Sequence, residues 1–371
     1  MQTNSTKTLI IVVILFFFTS NLSGSFLPIY FRDLGLNLAE ICAIMLFAFI
    51  ILGFLPVTLL KTVKNFERIV TFGIFTTMLF YVALIFVKSP IILGLAYGVS
   101  LATFWPSFNL LMFRLSESKA RARTISLYSS IIPSLAGMAG PATGGFIIEK
   151  LGFTAVFTTS ILLYLIAFVL STRIHYRTEE NKFSIPRNKT FAIFFITFIV
   201  AGLAETYWIP YPFFVFNISG TVLNMGLVLT TTSILIAAVT FSVSWISDIR
   251  RTRVEFAVIG TLLSAMWCFG LGFASSINHI IILSMLAGFA NAFRISWSAH
   301  YGDSFGKEYY ASILVMMETG FMIGRSVSLA PTYLLVSEAN YAGIFAFFGV
   351  VTLLLVPLYV AAKRSQDTSR Q

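Results

Sequence analysis

The sequence predicts an all-α polytopic membrane protein of twelve transmembrane helices, arranged as two six-helix pseudo-repeats. Three observations predict it. The composition is 57% hydrophobic and 11% charged with 39 phenylalanines, and the mean hydropathy is +0.89, far from the make-up of a soluble globular domain. Apolar runs near the ~20-residue length that crosses a bilayer recur twelve times. A ladder of small residues, Ala136, Gly140 and Gly144, returns 184 positions later as Gly320, Gly324 and Ser328, which marks an internal duplication.

The spans fall near 8–31, 38–60, 69–87, 91–113, 124–148, 152–172, 190–216, 221–246, 254–274, 277–299, 310–336 and 339–361. Lys7 ahead of an apolar stretch resembles the start of a signal peptide. The apolar character runs on to Phe31 with no convincing small-residue cleavage pattern, so the first span is expected to be retained. Short loops rich in lysine and arginine stay cytoplasmic. Most of the 25 such residues fall on one side, and only Arg32, Lys88 and Lys150 lie in loops on the other. Both termini are therefore expected in the cytoplasm, and the asymmetry accounts for the net charge of +10 without a nucleic-acid partner. The polar stretch 173–189, which contains Pro186, reads as a cytoplasmic linker between six-helix bundles at 1–172 and 190–371.

The fifth span carries Pro141 and Gly145 beside the ladder. Such a stretch breaks a soluble helix, whereas in a membrane neighbouring helices re-satisfy the freed backbone, so it reads as a bent span. Ala136, Gly140 and Gly144 share one face at the spacing that lets helix backbones approach closely. In the eleventh span Arg325 stands where the fifth has Pro141. The same offset pairs Pro28 with Pro212, Asp33 with Asn217, and Asn21 with Glu205.

Gly140-Pro141-Ala142-Thr143-Gly144-Gly145 matches the GPxxGG pattern of proton-coupled antiporters in the major facilitator superfamily, and the chain resembles that superfamily over essentially its full length. The usual leading glycine is Ala136. A second signature of the superfamily, GxxxD[RK]xGR[RK], is degraded between spans two and three, where Lys64, Asn65 and Glu67 replace its key positions and Arg68 survives. Its repeat after span eight keeps Asp248, Arg250, Arg251 and Arg253, a candidate cytoplasmic gate. The resemblance implies two bundles rocking around a cavity lined by helices 1, 4, 7 and 10, with helices 3, 6, 9 and 12 facing lipid. It also implies that the bent fifth and eleventh helices meet at the seam between halves, with Ala136, Gly140, Pro141, Gly144, Gly145, Gly320 and Gly324 as the sealing contacts.

Charges inside a bilayer are costly and face a partner or a watery cavity. Four stand within spans: Glu205, Arg294, Glu318 and Arg325. At ~1.5 Å rise per residue, Glu205 and Arg325 fall near the midplane, and Arg294 and Glu318 lie together roughly 8 Å toward the cytoplasm. Two acid–base pairs at two heights are expected. Glu205 reads as a proton carrier, or as a fixed salt bridge to Arg325 or a polar partner of Tyr207. Glu318 and Arg325, seven apart, share a helix face. The pair Arg294 and Glu318 reads as a gate, a proton site or an anion contact.

Candidate cavity residues are Asn21, Trp105, Asn109, Tyr207, Trp208, Tyr211, Asn291 and Trp297, each with interhelical bonding or packing as the alternative. Aromatic faces among them suit an amphipathic or cationic ligand. Cys42 and Cys268 lack metal or redox spacing, and His175, His279 and His300 lack ligand companions. No HExxH, GxxxxGK[ST] or GxSxG motif stands in a suitable place, which argues against an enzyme and against direct use of ATP. The expectation is a proton-coupled efflux antiporter of the cytoplasmic membrane, monomeric and without cofactor or metal, whose partners are a small-molecule substrate, protons and the lipid bilayer. An importer of the same fold, or a non-transporting receptor or assembly factor, are the alternatives.

Overall fold

The computed structural model describes residues 2–115, 132–174, 183–250 and 253–370, with side chains left aside at 2–6, 113–115, 133, 241–250, 292–296, 299 and 367–370. Every regular element among the described residues is helical. The first half contains α1 (Gln2–Ser23), α2 (Leu27–Asp33), α3 (Leu38–Thr62), α4 (Ile69–Phe86), α5 (Pro90–Leu115), α6 (Ile132–Gly137), α7 (Gly140–Leu151) and α8 (Phe153–Ser171). The second contains α9 (Lys189–Glu205), α10 (Pro210–Ser219), α11 (Val222–Arg250), α12 (Arg253–Phe273), α13 (Ile277–Asp303), α14 (Tyr310–Ser337), α15 (Tyr341–Leu353) and α16 (Leu355–Arg370).

Among the described residues, 10 helices are long and apolar enough to cross a membrane, and Ile277–Asn291 is a shorter apolar one. The remaining expected span, the fifth, is present as α6 and α7, with its residues before 132 outside the described set.

Proline explains where the spans break. Pro28 sits in the first turn of α2, Pro141 in that of α7 and Pro210 in that of α10. At these positions the missing N–H costs nothing and the fixed φ suits a new helix start. The first and seventh spans thus break alike, through single 3-10 turns at Gly24–Phe26 and Thr206–Trp208. Caps come from the loops: Asn37 forms a reciprocal capping box with Glu40, and Asn188, Ser276 and Asn340 each accept from a first-turn N–H. Gly220 closes α10 at a φ of 75°, a left-handed conformation that a β-carbon would strain.

Each half packs chiefly on itself, and the halves meet where α14 lies on α3 and α11 lies on α7. Large apolar side chains remain exposed along α4 (Phe72, Leu79), α8 (Leu162, Ile166), α12 (Leu262, Met266) and α15 (Val350), the surface expected of spans facing acyl chains. Rings fill the interior of the first half, where Phe16 stacks on Phe104 at 3.6 Å and Phe104 on Phe108 at 5.2 Å.

Candidate functional site

The site begins with a close approach of backbones. A β-carbon on Gly320 would lie 2.9 Å from the Phe198 β-carbon, and one on Gly324 would overlap the Ile199 carbonyl oxygen. Glycine at both positions therefore lets α14 lie flush on α9. That contact delivers Arg325 to the C-terminal end of α9, where Glu205 ends the helix.

Arg325 Nε donates to Glu205 Oε1 at 2.9 Å, and Nη2 donates to the same oxygen. Nη1 stands 3.5 Å from Glu318 Oε2, one helical face along α14. One guanidinium thus serves two carboxylates, with side-chain exposures of 15% for Arg325, 21% for Glu205 and 7% for Glu318. The guanidinium also lies over two rings, Phe321 at 4.8 Å and Phe49 of the other half at 5.9 Å. Glu318 therefore joins the Arg325 cluster, a contact that the expected pairing with Arg294 did not include. The arginine and glutamate side chains reaching toward each other together cover the ~10.5 Å rise between positions seven apart. The Arg294 side chain lies outside the described residues.

The same stretch of α14 holds the seam. Thr319 Oγ1 donates to the Gly53 carbonyl at 3.0 Å, and a β-carbon on Gly53 would lie 2.6 Å from Met322 Cγ. A second seam forms where α7 meets α11: a β-carbon on Gly145 would lie 2.8 Å from the Val222 carbonyl oxygen, and one on Gly226 would overlap the Pro141 carbonyl oxygen. Ala142 N donates to Thr230 Oγ1 at 2.9 Å, and Leu223 N donates to Glu149 Oε2 at 3.2 Å.

The ladder itself faces elsewhere. Gly140 and Gly144 press on Asn21 and Leu22 of α1, and Gly320 and Gly324 press on α9, all within their own halves. The expected assignment of these four glycines to the inter-half seam is thus corrected: each half's seam contacts fall on neighbouring positions, Pro141 and Gly145 in one and Thr319 and Met322 in the other. Helix geometry gives the reason, since one residue turns the side chain by ~100°. Ala136 is half-buried on α6.

A sequence profile described as Major Facilitator Superfamily matches residues 9–192 and again 193–370. The chain belongs to that superfamily. YqgE of Bacillus subtilis, an uncharacterized protein, is 26% identical over 184 residues, which is 45% of this chain and 41% of YqgE. The chain thus spans under half the length of that relative. The methylenomycin A resistance protein of Streptomyces coelicolor is 30% identical over 88 residues, 24% of this chain and 18% of that protein. The crystal structure of the E. coli fucose:proton symporter superposes with a TM-score of 0.68 at 13% identity, covering 95% of this chain and 98% of the symporter. Membership places the chain among transporters of small solutes rather than enzymes, and the likeness to the symporter shows the fold alone.

The other expected residues of this superfamily member divide between the cluster and the packing. Trp208 stands edge-on to Phe49 at 6.0 Å, which brings it beside the Arg325 cluster. Tyr207 and Tyr211 turn to Trp267, at 4.8 and 6.0 Å. Trp297 is packed between Phe194 at 4.8 Å and Tyr359 at 4.1 Å and is 4% exposed, so it is a core residue of the second half instead of a cavity wall. Trp105 packs edge-on against Phe17 at 5.7 Å. The Asn21 amide donates to Phe17 O of its own helix at 2.8 Å. Asn109 and Asn291 are half-buried. Of the candidate gate, Arg253 pairs with Asp303 across the ends of α12 and α13. Arg251 and the side chains of Asp248 and Arg250 lie outside the described residues. Sequence reasoning missed Phe49, Gly53, Thr319 and Phe321; only Gly53, a glycine in mid-span, carried a signal of close approach.

Proposed function

We propose that the chain is a secondary transporter that moves a small solute by alternating access and couples it to protons, with efflux against proton entry as the direction. Two bundles, 1–172 and 190–371, rock about the α3–α14 and α7–α11 contacts, with both termini in the cytoplasm and the protein acting as a monomer in the cytoplasmic membrane.

The observation that carries this reading is the sharing of Arg325 by Glu205 and Glu318 beside the seam. One guanidinium neutralises one carboxylate. A second carboxylate in a low-dielectric interior is expensive while charged, and a proton is its cheapest neutraliser. Counted over the described side chains alone, the cluster therefore holds one exchangeable proton. Arg325 also lies over Phe49 of the opposite half, so rocking changes what surrounds the cluster: shut, the acids share the guanidinium away from water, and open, water reaches Glu205. Loading on one side and release on the other follows from that alternation. Efflux is supported by the GPxxGG pattern and by the partial likeness to a resistance protein.

The test is proton movement in proteoliposomes with a pH dye inside, challenged with lipophilic cations, sugars and organic anions. Substrate-driven proton flux opposite to solute flux, lost in Glu205→Gln while binding persists, is the expected result. Solute flux without proton flux, or an unimpaired Glu205→Gln, overturns it.

A further inference from the structure

Where the first and seventh spans end, the duplication meets itself. The two ends are built alike: Tyr30 stands edge-on to Phe157 at 4.7 Å in the first half, and their mates 184 positions later, Phe214 and Tyr341, lie 5.6 Å apart in the second. So α2 and α10 occupy equivalent places. They also touch each other across the boundary between the halves, which puts their contact near the pseudo-two-fold axis that relates the repeats.

At that contact Arg32 meets its own mate, since Phe216 stands 184 positions later. The Arg32 guanidinium lies 5.1 Å from the Phe216 ring centroid and 5.8 Å from that of Phe213, one turn earlier on α10. Both distances fall within the ~6 Å reach of cation–π attraction. The ring platform is fixed: Phe213 is buried, the Asn217 amide donates to the Tyr341 hydroxyl at 3.1 Å, and Phe214 packs edge-on against Phe345 at 5.1 Å. Arg32 is exposed and makes no salt bridge with a carboxylate among the described residues. Its charge is left to the rings.

A position near a two-fold axis faces its own copy. Two arginines there would repel, and two phenylalanines would bring no cation; one of each turns the self-contact into an attraction. The second half adds no competing cation, because the lysines and arginines expected in the loops on this side are Arg32, Lys88 and Lys150, all from the first half.

We propose that Arg32 is a latch between the halves, its guanidinium seated on Phe216 and Phe213, and that this end of the molecule opens only when the guanidinium leaves the rings. The use of the latch rests on the alternating access proposed above; the contact itself needs neither proton nor solute.

The test is the distance between spin labels at Lys88→Cys and Asn278→Cys, two exposed positions that the order of spans puts at this end, in the full-length protein in lipid nanodiscs; Cys42 and Cys268 are buried away from the label. Arg32→Gln is expected to raise the ratio of long to short distances about two- to fivefold, the worth of an exposed cation–π contact. Phe216→Arg raises it further, because like charges then face each other. The swap Arg32→Phe/Phe216→Arg brings the ratio back toward wild type, in part only, because Ile29, the mate of Phe213, offers no ring. Should Phe216→Arg fail to fold, Phe216→Leu matches Arg32→Gln, and combining those two adds less than their sum. Lys150→Gln, a cation of this side with no ring beneath it among the described residues, leaves the ratio unchanged. An unchanged ratio in Arg32→Gln, an equal rise in Lys150→Gln, or a swap as open as Phe216→Arg alone overturns the latch. Solute flux in the wild type separates the two readings: its absence sinks the transport reading, whereas the latch stands or falls on the distances.

Discussion

In the first half α7 lays Gly140 and Gly144 on α1 beside Asn21 and Leu22; in the second, α14 lays Gly320 and Gly324 on α9 beside Phe198 and Ile199. The scaffolding is duplicated, and the side chains it presents are not. Where the second half has Glu205, Glu318, Phe321 and Arg325, the first has Asn21, Ser134, Gly137 and Pro141, each 184 positions earlier. Asn21 spends its amide on its own helix, whereas Glu205 reaches across to Arg325. The difference separates two roles that sequence motifs run together. The glycines set how near two helices lie, and the residues beside them decide what that nearness is used for.

The comparison breaks first at Glu205. Glu205→Gln is expected to reduce substrate-driven proton flux to background, while Asn21→Ala leaves it near wild type; equal losses in a dye assay would mean that both halves carry protons. Arg325→Ala strands the buried Glu318 carboxylate beside the half-buried Glu205 and is expected to cost about 3–5 kcal/mol, read as a fall in the melting midpoint in detergent. Adding Glu205→Gln to that variant recovers part of the loss, and no recovery would disprove the shared guanidinium. Gly144→Val and Gly324→Val both force a side chain into backbone and are expected to cost about 1–3 kcal/mol each, in similar measure if the ladders are equivalent. Thr319→Val removes one hydrogen bond across the seam, worth about 0.6 kcal/mol in a membrane. It is expected to favour the opened state about threefold, visible in spin-label distances between the halves and with no counterpart in Thr143→Val.

Much of the fold was legible because bilayer physics restricts the answer: length, apolarity and charge asymmetry mark spans without any knowledge of contacts. The nearness of Glu205 and Arg325 was legible for the same reason, since depth follows from residue count. Azimuth does not. Depth alone paired Glu318 with Arg294, yet Glu318 shares its helix face with Arg325 and lies within that side chain's reach. The ladder faced its own half for a related reason, because small-residue spacing shows that a close contact exists and is silent about which neighbour supplies it. Phe49 was invisible among 39 phenylalanines; only the packing of α3 on α14 singles it out.

The break before Pro141 has a consequence for timing. It gives α7 a helix start inside the membrane, and the first-turn amide of Ala142 is satisfied by the Thr230 hydroxyl of the other half. When that contact parts, the amide meets either water or hydrocarbon, and hydrocarbon offers no acceptor. The parting therefore waits for hydration. Under the alternating access proposed above, a cycle gated in this way is expected to slow under osmotic stress from solutes too large to enter the crevice, even when they bind nothing on the protein.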